Sequence, residues 1–513
     1  MSEPIKITGP DLATEGIPRD ALKSDVPVIG HVDGKPVVVL ETSDGPRAVG
    51  GKCTHYGGAL GDGLCVDGEI RCPLHHAAFD LATGEAVSGP ALNPIPVYDT
   101  TQRDGLVFVT GPVEPPDLKV QPFKAPDSVI IVGSGAAGAV AAEAIRRNGY
   151  AGPISLIGEE APVDRPNVSK DYLAGTAPEE WMPLRSEGFY TDAGIDLITG
   201  ETVTSIDPDG HKVHLSDGRT LSYGALLLAT GATPRRLPVP GADMPHVHCL
   251  RTLADSRNII AKFDDGTRAV VIGAGFIGLE VAASLRQRNI DVTVVAPEET
   301  PLGLLVGREL GQYVVDLHRS HGVKFQLGRR VTAITEDTVK LDDGTSINAN
   351  LVIMGVGVDP NVALAEAAGL SIDDGIVVDD RLRTSAPDIW AAGDTARYPN
   401  PDGGHMRVEH WVPAQRQGQT AARNILGHDV AFAVPPFFWS EHYGIRINVV
   451  GSLDGWDENV VSGDTEKPDV LVGYRKEGTT MAVASINRDR DNLRAEVALE
   501  TSDEQGLNNL TRE

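Results

Sequence analysis

Ser128-Val129-Ile130-Ile131-Val132, followed at once by Gly133-Ser134-Gly135-Ala136-Ala137-Gly138, is the stretch that decides how this chain folds. The uncharged, β-branched run reads as a strand buried in a parallel sheet, and the alanine-rich stretch 139–147 as the helix that follows it. The glycines between them permit a tight turn and the close approach of a pyrophosphate to the helix N-terminus. A lone G-x-G-x-x-G is a weak signal. Here a second strand, 154–157, ends at Glu159 and Glu160, where a carboxylate would accept hydrogen bonds from ribose hydroxyls. The competing reading is a glycine turn that serves helix packing alone.

The same grammar returns about 140 residues later: a strand over 269–272, then Gly273-Ala274-Gly275-Phe276-Ile277-Gly278, then a helix over 279–288 carrying Glu280. Two nucleotide-binding units in one chain are expected, one for FAD and the other for a nicotinamide dinucleotide. The strand 292–295 ends in Ala296, where an acidic residue usually discriminates NADH from NADPH, and Glu298 lies two residues further on. NADH is favoured. Arg286 and Arg288 oppose that reading, since a guanidinium can meet a 2′-phosphate.

Toward the N-terminus, from residue 27 to about 110, short β-branched runs (35–40, 105–109) alternate with Asp-Gly and Thr-Gly turns and read as a small all-β domain. Within it stand Cys53-Thr54-His55 and Cys72-Pro73-Leu74-His75, a C-x-H and a C-x-x-H pair. Thiolates and imidazoles grouped in this way are metal ligands. A four-coordinate zinc knuckle could use the same residue types. In a Rieske [2Fe–2S] centre two Cys hold one iron and two His the other, so each loop supplies one of each. The β context, both spacings and the Cys-Pro-x-His sequence favour Rieske. His76 reads as a solvated neighbour, and Cys65 and the solitary Cys249 as packing thiols.

The chain is 513 residues long, 41% apolar, with 45 Lys+Arg against 72 Asp+Glu for a net charge of −27. That length suggests three or four domains, and the charge would repel a nucleic-acid backbone or an anionic leaflet. Neither nucleic acid nor membrane is expected as a partner. With no signal-peptide core and no run of about 18 apolar residues, a cytoplasmic location is the default reading. Four cysteines cannot build a disulfide scaffold. Pro112, Pro115, Pro116, Pro122 and Pro126 mark a stiff extended linker, and after Pro435-Pro436 alternating runs (445–449, 480–486) indicate a closing α+β domain.

The N-terminal segment resembles Rieske ferredoxins and the Rieske domains of ring-hydroxylating oxygenases. In the respiratory type an added Cys in each loop forms a disulfide, and here Gly58 and Leu74 hold those places. Ala77 stands near where that type carries a serine hydroxyl, so the resemblance implies a potential toward the low end of the range, about −150 mV. From Asp127 onward the chain resembles the flavoprotein ferredoxin reductases of bacterial oxygenase systems. The matching pieces are Asp164-Arg165-Pro166 with Ser169-Lys170, Ala229-Thr230-Gly231, Gly355-Val356-Gly357, Ala391-Ala392-Gly393-Asp394, Glu409-His410-Trp411 and Phe438-Trp439-Ser440. The fusion is similar to apoptosis-inducing-factor-like proteins.

The resemblance implies an all-β Rieske domain (1–112), a linker (113–126) and two Rossmann-like α/β domains of glutathione-reductase type. These are a discontinuous FAD domain (127–245 and 364–432) and an NAD domain (246–363), before an α+β C-terminal domain (433–513). It also implies that Asp394 bonds the FAD, that Trp411, Arg165 and Lys170 lie beside the flavin, and that Lys170 and Glu280 face one another at the nicotinamide pocket. Ser134, Val203, Thr230, Gly231 and Gly357 complete the implied dinucleotide contacts. No cysteine pair follows the first fingerprint, which excludes the dithiol exchange of the related disulfide reductases. The expected reaction is electron flow from NADH through FAD to the [2Fe–2S] cluster and on to a separate acceptor protein, an oxygenase or cytochrome. A redox-signalling role and an NADH oxidase passing electrons to oxygen are the alternatives.

Overall fold

The computed structural model describes residues 8–114, 122–400, 403–464 and 467–512. Near the N-terminus, Val28–Val32, Lys35–Thr42, Gly45–Gly50, Val97–Arg103, Leu106–Val113 and the short Ile17–Pro18 form one six-stranded antiparallel sheet. Between its strands Gly45–Gly50 and Val97–Arg103 the chain builds a second sheet of four short strands, Leu64–Val66, Glu69–Arg71, Ala78–Asp80 and Ala86–Ser88. Leu40, Val49, Leu60, Ile70, Phe79 and Ile95 close the space between the sheets, and Cys53, Cys65 and Cys72 pack among them.

The strand Leu106–Val113 runs one residue into the expected linker and passes through Pro112. It tolerates the proline because Ile17–Pro18 covers only Val107 and Leu106, so at Pro112 the strand is an edge and the missing N–H removes no ladder bond. Residues 115–121 of the linker, including Pro115 and Pro116, lie outside the described residues. Beyond them the amides of Phe123 and Lys124 donate to the Leu426 carbonyl at 3.1 and 3.0 Å.

Two parallel sheets follow. The first has the order Ile195–Thr199, Ile154–Gly158, Val129–Val132, Ala225–Leu228, Ile389–Ala391, so its last strand comes from beyond the second sheet. The helices Ala136–Arg147 and Trp411–Ile425 pack together beside it; Gly418 lets them touch, since a Cβ there would lie 2.3 Å from the Ala137 carbonyl oxygen. The second sheet has the order Val247–Cys249, Leu351–Met354, Arg268–Ile272, Asp291–Ala296, Lys324–Leu327 and carries the helix Phe276–Gln287. In both sheets the strand that feeds the glycine turn is central, and its residues are almost wholly buried. Uniformly apolar strands are what a sheet covered on both faces requires.

The C-terminal unit is a five-stranded antiparallel sheet ordered Phe437–His442, Ile445–Gly451, Thr479–Ile486, Asp469–Lys476, Glu458–Asp464, backed by the helices Asp489–Glu500 and Glu504–Leu510. No helix among the described residues is long and apolar enough to cross a membrane.

Candidate redox site

Each fingerprint glycine has its own reason to be glycine. Gly133 and Gly273 take φ of +109° and +104°, and a Cβ on either would collide with a carbonyl oxygen of the neighbouring strand's loop, Ala229 at 2.0 Å and Gly355 at 2.2 Å. A Cβ at Gly138 or Gly278 would strike the carbonyl oxygen of Gly133 or Gly273, at 1.8 and 2.2 Å. The middle glycines differ: a Cβ at Gly275 meets nothing within 4 Å, and at Gly135 only Arg165 Nη1 at 3.3 Å. They leave room for a pyrophosphate, which would approach the helix N-terminus there, so both turns fit a dinucleotide.

Around the first turn, Ser134 Oγ donates to the Glu160 carbonyl oxygen at 2.6 Å, and Glu160 pairs with Arg165 at 3.0 Å. Glu159 is exposed. Asp394 is buried and paired at 2.7 Å with Arg251, which the sequence reading missed because no spacing ties the two together. The buried Nε atoms of Arg165 and Arg251 have no hydrogen-bond partner among the described residues, as expected of a cradle for an anionic cofactor. Thr230 Oγ1 donates to the Asn361 carbonyl oxygen at 2.7 Å, and Gly231 takes φ +67° where the chain crosses toward the second unit. Val203 opens the strand Val203–Asp207 and packs on the core of the first sheet. At the second turn, the buried Oε2 of Glu298 also lacks a hydrogen-bond partner among the described residues, and Gly357 takes φ +96°. Arg286 and Arg288 are committed elsewhere: Arg286 donates to the carbonyls of His321 and Ile290, and Arg288 to that of Leu173.

Three units meet at Glu280. It lies 2% exposed on the helix Phe276–Gln287 and pairs with Lys170 Nζ at 2.9 Å. Ser169 Oγ donates to its Oε2 and Ser440 Oγ to its Oε1, both at 2.7 Å. Lys170 Nζ also sits 5.9 Å from the ring centre of Trp439. Trp411 starts the helix Trp411–Ile425 and lines a cavity of about 170 Å³ together with His55, Tyr56, Asp164 and Gln415.

The four expected metal ligands are brought together, and the two loops that carry them are built alike. In one, the Cys53 amide donates to the Gly58 carbonyl (2.9 Å) and the Gly57 amide to the Cys53 carbonyl (3.1 Å). In the other, the Cys72 amide donates to the Ala77 carbonyl (2.8 Å) and the His76 amide to the Cys72 carbonyl (3.1 Å). Gly57 and His76, each four residues after its cysteine, both take a left-handed φ, +76° and +59°. The buried thiols of Cys53 and Cys72 lie near enough to shift one another's pKa, upward for Cys53 and downward for Cys72. His55 Nδ1 and His75 Nδ1 converge to 3.2 Å, close to the spacing of about 3.4 Å for two nitrogens about 2.1 Å from one tetrahedral metal. Donors thus come as a sulfur pair and a nitrogen pair, each drawn from both loops, which fits a two-iron centre. Burial lowers the pKa of His55 to about 3 and that of His75 well below the ordinary value, so both rings are neutral and free to ligate.

Residues 127–418 match the family Pyridine nucleotide-disulphide oxidoreductase. The chain belongs to that family. Residues 16–99 match the Rieske [2Fe-2S] domain and 437–510 the Reductase C-terminal domain. The reductase is 38% identical to rhodocoxin reductase of Rhodococcus erythropolis over 73% of its own length and 90% of that protein's. It is 30% identical to apoptosis-inducing factor 3 of Homo sapiens over 89% of its length and 78% of that protein's, a match long enough to reach into the N-terminal domain. Among solved structures, the covalent putidaredoxin reductase–putidaredoxin complex contains a chain 36% identical to it, with a TM-score of 0.72 over 76% of this chain and 97% of that one.

The reductase is therefore an NAD(P)H:ferredoxin-type oxidoreductase whose cofactors are FAD, NAD(P)H and a Rieske [2Fe–2S] cluster. When bound, the flavin accepts a hydride and gives up electrons singly. The two glycine turns would hold the dinucleotides, and Cys53, His55, Cys72 and His75 the cluster.

What the sequence could not show is how the Rieske domain sits on the rest of the reductase. The His75 ring lies 4.1 Å from that of Trp439, and the Tyr56 hydroxyl donates to Asp164 and accepts from Asn167 Nδ2 (2.9 Å). His76 is corrected outright: it is fully buried, not solvated, stacked on Phe437 at 3.8 Å and bonded through Nδ1 to Glu496 at 2.9 Å. A left-handed φ on a residue with a side chain costs of the order of 1–3 kcal/mol, and these contacts offset it. Cys65 is a core thiol as expected, and burial pushes its pKa up to about 12.

Proposed function

We propose that the reductase passes electrons from NADH through FAD to its own cluster, and from there to a separate acceptor protein, an oxygenase or a cytochrome, in the cytoplasm. The observation that carries the intramolecular route is the stacking of the cluster ligand His75 against Trp439. Trp439 belongs to the strand Phe437–His442, whose next residue, Ser440, holds Glu280 opposite Lys170. We assign Lys170 and Glu280 to the junction of flavin and nicotinamide: the ammonium would stabilise an electron-rich reduced ring, and the largely buried carboxylate offsets its charge. No side chain need form a covalent bond in a hydride transfer, so these residues position cofactors and tune their potentials.

Anaerobic titration with NADH tests the route. Bleaching of the flavin together with the low-temperature paramagnetic signal of a reduced Rieske cluster is the expected result. A bleached flavin beside a cluster that stays oxidised would remove the cluster from the path and favour the redox-signalling reading, which the long match to apoptosis-inducing factor 3 also supports.

With Arg286 and Arg288 held by backbone carbonyls and the buried Oε2 of Glu298 lacking a hydrogen-bond partner among the described residues, NADH should be preferred over NADPH by about 10-fold or more in kcat/KM, since a 2′-phosphate would meet that carboxylate. Equal kcat/KM values for the two would contradict this. The net charge of −27 predicts an acceptor with a basic docking face and a transfer rate that falls about 10-fold from low to high ionic strength. A flat salt profile would show that docking is not electrostatic.

A further inference from the structure

Oxidation of NAD(P)H releases two electrons and one proton, NAD(P)H → NAD(P)⁺ + 2 e⁻ + H⁺, and an iron–sulfur acceptor takes only the electrons. One proton per turnover must therefore leave the site, where Glu280 is only 2% exposed. A hydrogen-bonded string leads away from Glu280 through the C-terminal sheet. Ser440 Oγ, bonded to Glu280 Oε1 at 2.7 Å, lies 3.1 Å from His442 Nε2. His442 Nδ1 lies 3.3 Å from His318 Nε2, and His318 Nδ1 lies 3.3 Å from the Tyr443 hydroxyl. Ser440, His442 and His318 are fully buried, whereas Tyr443 is half-buried and stacks at 3.7 Å on the exposed His321.

We propose that Glu280, Ser440, His442, His318 and Tyr443 form a proton relay that carries this proton from the Lys170–Glu280 pair to solvent. Each joint uses both faces of a group able to donate and accept. A proton placed on Glu280 passes to Ser440 Oγ, which gives its own to His442 Nε2. His442 then releases the proton on Nδ1 to His318 Nε2, His318 releases its Nδ1 proton to the Tyr443 oxygen, and the tyrosine gives one to water. Every group ends with the number of protons it began with, and none is oxidised. The string returns to its starting polarity by turning hydroxyls and exchanging tautomers.

The surroundings keep the rings in the state a relay needs. His442 faces the Lys170 ammonium and the Leu279 carbonyl; His318 faces His442, His321 and the edge of Phe325; Tyr443 faces Arg286. Burial lowers the pKa of His442 to about 3 and that of His318 to about 2, so each ring is neutral and has one donor and one acceptor nitrogen. Two fully buried histidines placed in series are a costly way to fill space unless the string is used.

The relay requires only that electrons leave without protons, and does not depend on which cluster receives them. The test therefore uses ferricyanide, a one-electron acceptor, with the NADH-reduced holoprotein mixed in weak buffer with a pH-indicator dye. In the parent protein proton appearance should keep pace with flavin reoxidation. In Ser440→Ala and in His442→Phe it should lag by about 100-fold, the scale of a lost positioned acid–base group. Proton release that keeps pace in both variants would overturn the relay, even if the cluster lies in the electron path. Imidazole ¹⁵N spectra of the unmutated protein supply a reading that needs neither turnover nor a variant that folds. His318 and His442 should each show one protonated and one bare nitrogen at neutral pH. A doubly protonated ring, having no acceptor, would overturn the proposal.

Discussion

Serine at position 72 should abolish the paramagnetic signal of the reduced cluster and slow electron delivery to a protein acceptor by at least about 100-fold, while NADH still bleaches the flavin. The separation of effects follows from the architecture. Cys72 lies in a loop of the N-terminal sheets, whereas the glycine turns and the Lys170–Glu280 pair belong to the two parallel sheets and their helices. A hydroxyl is a harder, weaker ligand than a thiolate, and Cys72 has no substitute: Cys65 is fixed on the strand Leu64–Val66 and Cys249 lies in another domain. His75→Ala should do the same by removing half of the nitrogen pair. Full acceptor reduction by Cys72→Ser protein would mean that electrons pass directly from the flavin.

The second large effect is expected at the seam between the N- and C-terminal domains. Glu496 is fully buried on the helix Asp489–Glu500, where Arg416 (2.7 Å), His76 (2.9 Å) and Arg71 (3.4 Å) converge on its carboxylate. Arg416 Nη2 also donates to the His76 carbonyl at 3.1 Å, so the network grips the loop that carries Cys72 and His75. Changing Arg416 to Met leaves a buried carboxylate short of a charge partner, a loss of about 3–5 kcal/mol. Calorimetry should then show the N-terminal domain melting apart from the rest, and electron transfer between flavin and cluster should slow as His75 leaves Trp439. A single, unshifted transition would show that the seam is held by other contacts.

The same carboxylate sets a pH dependence. Burial alone would raise its pKa, but Arg416, His76 and Arg71 overcome that and hold it well below the ordinary glutamate range. A depressed acid contributes its full stabilisation above its unfolded value, about 4.3, and loses it as pH falls below. Its contribution to docking should therefore be constant near neutrality and decline only in acid, which melting measured against pH would detect.

Much of this protein was legible because the relevant constraints are local. A glycine turn between a strand and a helix, or a Cys and a His two or three residues apart, carries its geometry within one short segment. The strands expected at 154–157 and 269–272 accordingly appear as Ile154–Gly158 and Arg268–Ile272. His76 went astray for the opposite reason. Its neighbours in sequence are polar or small, and what buries it, Phe437 and Glu496, arrives more than 350 residues later. The internal clue was its position four residues after a cysteine, where the sister loop has Gly57.

By itself, the sequence located the two glycine turns and the two Cys/His pairs proposed to hold a cluster, since steric demands on glycine and the spacing of donors act over a few residues. Only the tertiary structure decided what each site faces. It set Arg251 against Asp394, bonded Arg286 and Arg288 to backbone carbonyls, put His75 on Trp439, and joined Glu280 to Tyr443 through a string drawn from two domains. Those contacts depend on which surfaces bury one another, and burial is a property of the whole packed chain.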